Sequence, residues 1–251
     1  MKKSNGIDNC QFIKQAKGRQ MNKILCGLLV VSLMCGVAYG EVKGKAGNIR
    51  LLILGNSITR HGPSAAVDWH VNWGMAASDI EKDFSHILQR YFKELNGGVL
   101  PEAKIDNIAT FERGYKTMDI AATMKPFIDF KPTVMVLAIN ENVAGLKGEE
   151  DEKAYYEALV KMLKLFKDNG NPKLYVRSSF WPNEPKDRVL RKACEWYGGT
   201  YVDISALAND EKNYARSERE FKHAGVANHP GDAGMKNIAD MIWKAVLKNN
   251  Q

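Results

Sequence analysis

A serine that could act as a nucleophile stands early in this chain. Ser57 follows the apolar run Leu51-Leu52-Ile53-Leu54 and the turn Gly55-Asn56. Such a run reads as a strand buried on both faces, and the turn that ends it lifts one hydroxyl out of the sheet. In an open α/β sheet, ligands bind beyond the carboxyl ends of the strands, which is where this hydroxyl would stand. The same serine also fits an ordinary cap at a strand-to-helix turn. A serine hydroxyl attacks poorly until a base takes its proton, so the chemistry needs a histidine delivered from elsewhere. Of the five histidines, His61, His70 and His86 fall early in the chain and His223 lies in a polar stretch. His229 occupies Asn228-His229-Pro230-Gly231-Asp232, at the entrance to the last helical segment.

The block Gly55-Asn56-Ser57 resembles the Gly-Asp-Ser of the SGNH (GDSL-type) hydrolases, and His229-Pro230 resembles the His-Pro step that carries their base. The resemblance covers nearly all of residues 48–247. It implies a serine esterase with no metal or organic cofactor, in which Ser57 attacks and His229 takes the proton. It also implies an oxyanion hole built from the Ser57 N–H, a glycine after the second strand and an asparagine after the third. Asn142 matches the asparagine, with Asn140 and Val143 at the outer positions of the family's Gly-x-Asn-Asp. Gly114 is the nearest glycine for the other place.

The family's acid stands three residues before the histidine, where this chain has Val226. Three arrangements follow. The imidazole is held by a backbone carbonyl, as in esterases of this fold that act on carbohydrates. Alternatively, an acid is recruited from Glu141, Asp232 or Glu112. In the third arrangement the domain has lost catalysis and binds glycan instead. Trp69, Trp73 and Trp181 follow elements that should open on the catalytic edge, where flat aromatic faces stack on sugar rings, although each equally fits a cap on the core. Arg177, Arg113 and Glu112 could bind polar parts of a substrate or form ion pairs. The expected substrate is a small acyl ester, acetyl for example, on a carbohydrate.

The elements that must position these residues alternate strand and helix. Strands are expected near 51–54, 104–109, 133–139, 173–179 and 200–204. Helical spacing covers 79–95, 117–130, 151–168, 186–197 and 231–247, while 110–114 reads as loop. This order predicts one α/β domain over residues 41–251, a three-layer flavodoxin-like arrangement around a five-stranded parallel sheet.

Ahead of it, Lys23, the apolar run 24–34 and the small residues of Ala38-Tyr39-Gly40 look like a signal peptide over residues 1–40, with Met21 as a conventional start. An exported, periplasmic or secreted protein without stable membrane insertion is the expectation. Residues 1–40 hold six Lys and Arg against a single Asp, so residues 41–251 carry only +2 of the chain's +7. No basic cluster suggests a nucleic-acid partner. Cys10, Cys26 and Cys35 lie in the leader and leave Cys194 alone, which excludes a disulfide framework and a cysteine zinc site.

Overall fold

The computed structural model describes residues 47–251; the expected leader over residues 1–40 lies outside them. Five strands form one parallel sheet: β1 Arg50–Gly55, β2 Glu102–Asn107, β3 Val134–Ala138, β4 Lys173–Arg177 and β5 Thr200–Val202. Their order is β2-β1-β3-β4-β5, so the winding reverses between β1 and β3. The helices are α1 Phe84–Leu95, α2 Ala109–Gly114, α3 Ile120–Ile128, α4 Glu149–Asp168, α5 Glu184–Tyr197, α6 Ala224–Ala227 and α7 Asp232–Lys248. The fold is the expected α/β arrangement with helices on both faces of the sheet.

Strand alternation splits the core in two. Leu52 and Leu54 of β1, Met135 and Leu137 of β3, and Leu174 and Val176 of β4 pack with residues of α3, α4 and α5. The intervening Leu51, Ile53, Val134, Val136 and Tyr175 pack with α1 and α7 on the other side. Leu51 to Leu54 are all fully buried, and each such side chain contributes about 1.5–3 kcal/mol relative to exposure. That double burial keeps β1 central, and β1 carries Ser57.

Several boundaries differ from the sequence expectation for local reasons. The first helix begins at Phe84 rather than near Asp79, because Asp79 caps a short 3-10 turn and Asp83 then caps α1 by accepting from the His86 N–H. The helix expected from residue 117 begins at Ile120, where the Asp119 side chain accepts from the Ala122 N–H. The stretch read as loop after β2 is the helix α2. Cys194 is buried in α5, and burial pushes its thiol up to about 12. It is therefore no rival nucleophile.

Gly55 ends β1 between Asn107 of β2 and Ala138 of β3. A Cβ there would stand 1.9 Å from Thr59 Oγ1 and 2.7 Å from the Ala138 carbonyl oxygen. Only glycine lets the chain turn this tightly against β3 and bring Ser57 over the sheet edge.

Candidate active site

Ser57 sits just past the carboxyl end of β1, at the point where the strand order reverses. Asn56 shapes the turn: its carbonyl accepts from the N–H groups of Thr59 and Arg60, at 3.0 and 2.9 Å, and its Oδ1 accepts from the Ile58 N–H. Asn56 Nδ2 donates to Glu141 at 2.5 Å and to Glu112 at 3.4 Å. Two buried carboxylates therefore flank the position where the family pattern has aspartate. A third would add like-charge repulsion, whereas the amide supplies the donor both need.

His229 reaches the serine from the loop that joins α6 to α7. Ser57 Oγ lies 2.8 Å from His229 Nε2, and His229 Nδ1 lies 2.7 Å from the Gly225 carbonyl oxygen. A carbonyl can only accept, so Nδ1 carries the proton and Nε2 is free to accept from the hydroxyl. Trp181 stands edge-on to the imidazole, ring centroids 5.3 Å apart at 87°. Burial lowers the His229 pKa from its ordinary 6.5, opposed by the Gly225 hydrogen bond and by the Glu141 charge.

Among the described residues no carboxylate hydrogen-bonds to this ring. Glu141 is occupied by Arg177 Nη1 at 2.6 Å, the Phe180 N–H at 2.9 Å and Asn56. Asp232 accepts from the Ser78 N–H and hydroxyl and from Lys82. Glu112 faces Asn56, Asn140 and Asn142. The acids expected to orient His229 are thus committed elsewhere, and a main-chain oxygen fills the place. Val226 is buried in a small apolar cluster with Trp69, Met75, Ala76 and Ala215.

Asn142 follows β3, its amide nitrogen 3.1 Å from Glu112 Oε2 and its Oδ1 accepting from Arg113 at 2.7 Å. Position 140 has φ of +113°, a conformation that favours the glycine of the family pattern. Asn140 holds it through its side chain, accepting from the Tyr155 hydroxyl at 2.6 Å and donating to Asp187 at 3.1 Å. Among the described residues no acceptor takes the Ser57 N–H, so it remains a free donor beside its own hydroxyl.

Other expected site residues lie elsewhere. Gly114 closes α2, well past Asn107 where β2 stops, and a methyl there would meet nothing within 4 Å. It offers none of the close approach that an oxyanion cradle uses. Arg177 is fully buried and serves Glu141, so it is no substrate contact. Trp69 is buried too, with Nε1 donating to the His61 carbonyl and its ring edge-on to Trp73 at 6.1 Å. Trp73 is half-buried and donates to the Ala77 carbonyl at 3.0 Å. Of the three tryptophans, Trp181 is the one in contact with His229. No three His, Cys, Asp or Glu side chains among the described residues converge as a metal site requires.

No family model and no curated protein matches the chain. Solved structures do. A lipase/acylhydrolase from Enterococcus faecalis superposes with TM-score 0.52 at 14% identity, over 79% of this chain and 95% of the other. A protein described as a GDSL-like lipase, from Bacteroides uniformis, gives 0.51 at 13% identity over 80% and 96%. A carbohydrate esterase whose active site displays divergent catalytic and non-catalytic binding functions gives 0.51 at 13% identity, over 80% and 69%. What these share with this chain is the fold, that of the SGNH hydrolases.

Proposed function

We propose that this chain is a serine esterase that removes a small acyl group, acetyl foremost, from a carbohydrate or similar polyol. The observation that carries the reading is the relay from Ser57 Oγ through His229 to the Gly225 carbonyl, at 2.8 and 2.7 Å. In this mechanism Ser57 Oγ attacks the ester carbonyl as Nε2 takes its proton. The Ser57 N–H and the free N–H of Asn142 Nδ2 receive the oxyanion. Nε2 then protonates the departing alcohol, and a water activated by the same nitrogen releases the acyl group. Trp181 supports a sugar beside the imidazole by offering an aromatic surface there. The leader pattern of residues 21–40 supports an exported enzyme, and no helix among the described residues is long and apolar enough to cross a membrane.

Hydrolysis of p-nitrophenyl acetate and acetylated xylo-oligosaccharides by residues 41–251 tests the reading. Release of acetate that stops when Ser57 is labelled by a fluorophosphonate supports it. Binding of the deacetylated oligosaccharide without any turnover would replace it with the non-catalytic glycan-binding alternative.

The acid limb of kcat/KM should fall below pH 6.5. Only neutral imidazole accepts the serine proton, and burial depresses the His229 pKa, so the base stays competent further into acid than an ordinary histidine. A pH profile on a substrate without ionisable groups checks this. A limb centred well above pH 6.5 would contradict the site geometry.

A further inference from the structure

Glu112 is fully buried on α2. Its Oε1 accepts from the N–H groups of Asn140 at 2.7 Å and Asn142 at 3.0 Å, while Oε2 accepts from Asn142 Nδ2 at 3.1 Å. The next residue, the exposed Arg113, donates to Asn142 Oδ1 at 2.7 Å. Consecutive residues of one short helix thus grip both ends of a single amide, an acceptor on its nitrogen and a cation on its oxygen. Reversing that amide would set nitrogen against guanidinium and oxygen against carboxylate. One orientation survives, and it leaves the second N–H of Nδ2 as a donor.

We infer that Glu112 is a positioning residue which, together with Arg113, fixes the Asn142 amide as an oxyanion donor. This rests on the serine-esterase reading and deepens it. The arrangement also accounts for a charged group in so dry a place. The Glu112 pKa stands above its ordinary value: burial, and then the charge of Glu141, raise it, and the N–H donors of Asn142 and Asn140 offset only part of the rise. The carboxylate is held where its hydrogen bonds organise the chain after β3, and its partners there are the Asn140 N–H together with the backbone and side chain of Asn142, the residue whose direction matters.

Glu112→Gln is the direct test, because it keeps the shape and the Oε1 acceptor but opposes an NH2 group to the Asn142 amide. Loss of one oxyanion donor costs about 10²–10³ in kcat. E112Q should therefore lose about 10²-fold in kcat on p-nitrophenyl acetate, with KM within about threefold, and N142A should lose a similar factor. If Glu112 acts through Asn142, the E112Q/N142A double variant falls only a few-fold below N142A, since residues acting on one interaction are not additive. R113A disturbs nothing buried and folds even if E112Q does not; it should lose about 3–10-fold in kcat, the share of a single exposed hydrogen bond. In the ¹⁵N–¹H spectrum, the Asn142 side-chain pair, identified by its disappearance in N142A, should shift in E112Q and R113A. Wild-type kcat in both single variants, or fully multiplicative losses in the double variant, would overturn the inference. A wild-type chain without Ser57-dependent turnover would instead overturn the esterase reading, and an unmoved Asn142 pair would then dispose of the amide clamp as well.

Discussion

Ser57→Ala should lower kcat/KM for acetyl-ester hydrolysis by about 10⁴-fold or more, equivalent to about 5.4 kcal/mol of transition-state stabilisation. His229→Ala should cost a similar factor, and the double variant little more than either alone, because nucleophile and base act as a unit. The reason is geometric. With Oγ 2.8 Å from Nε2 and Nδ1 committed to Gly225, the serine has one proton acceptor and the imidazole has one usable tautomer. Removing Oγ leaves a base with nothing to deprotonate, and removing the ring leaves a hydroxyl too weakly acidic to ionise unaided. Steady-state rates with active-site labelling measure both. Retention of more than about a tenth of the wild-type rate in S57A would end the serine-esterase reading.

Arg177→Met should destabilise the fold by about 3–5 kcal/mol, the usual consequence of stranding one member of a buried ion pair. Arg177 is fully buried at the end of β4 and the Glu141 side chain is nearly so, with 2.6 Å between Nη1 and Oε1. The guanidinium also donates to the carbonyls of Ala138 and Ser178. Methionine fills the volume but leaves the Glu141 carboxylate without its cation, close to Glu112. For a domain of roughly 200 residues each kcal/mol shifts Tm by about 2–4 °C, so a fall of roughly 6–20 °C is expected. Adding Glu141→Leu should restore part of the loss, because an apolar pair avoids the stranded charge. Recovery stays incomplete, since Glu141 also holds Asn56 and the Phe180 N–H. Chemical denaturation of R177M and of the double variant beside the unaltered chain decides this, and a loss below about 1 kcal/mol for R177M would show that solvent reaches the pair.

The sheet and the two side chains of the relay were legible because each leaves a local mark. Leu51 to Leu54 announce a strand buried on both faces, and Ser57 and His229-Pro230 fall where the chain leaves or enters an element. The clamp left no such mark. Glu112 and Asn142 are joined only by the fold, and a lone glutamate in a stretch without apolar period reads as solvated loop. Arg177 and Trp69 misled for the opposite reason. Their residue types suit a binding rim, but β4 carries Arg177 inward, and Trp69 closes a small apolar cluster with Val226. The partner of Nδ1 was invisible in a different sense, because a carbonyl oxygen belongs to every residue and cannot be read from any one of them.

That carbonyl changes the genetics of the site. Where an aspartate steadies the base, one codon change can delete it; here every allele of codon 225 encodes the same oxygen, and only a shift of the backbone can take it away. A Cβ at position 225 would press on the exposed His223 ring at 2.8 Å, so that ring must swing aside and give up the hydrogen bond its Nδ1 accepts from the residue 225 N–H, which leaves the carbonyl of residue 225 in place. A saturation scan selecting for ester hydrolysis should therefore show steep intolerance at codons 57 and 229, and no comparable column at 225 or 226. In the proposed esterase the machinery offers mutation a smaller target than a triad does, and drift can erase the familiar signature while the reaction persists.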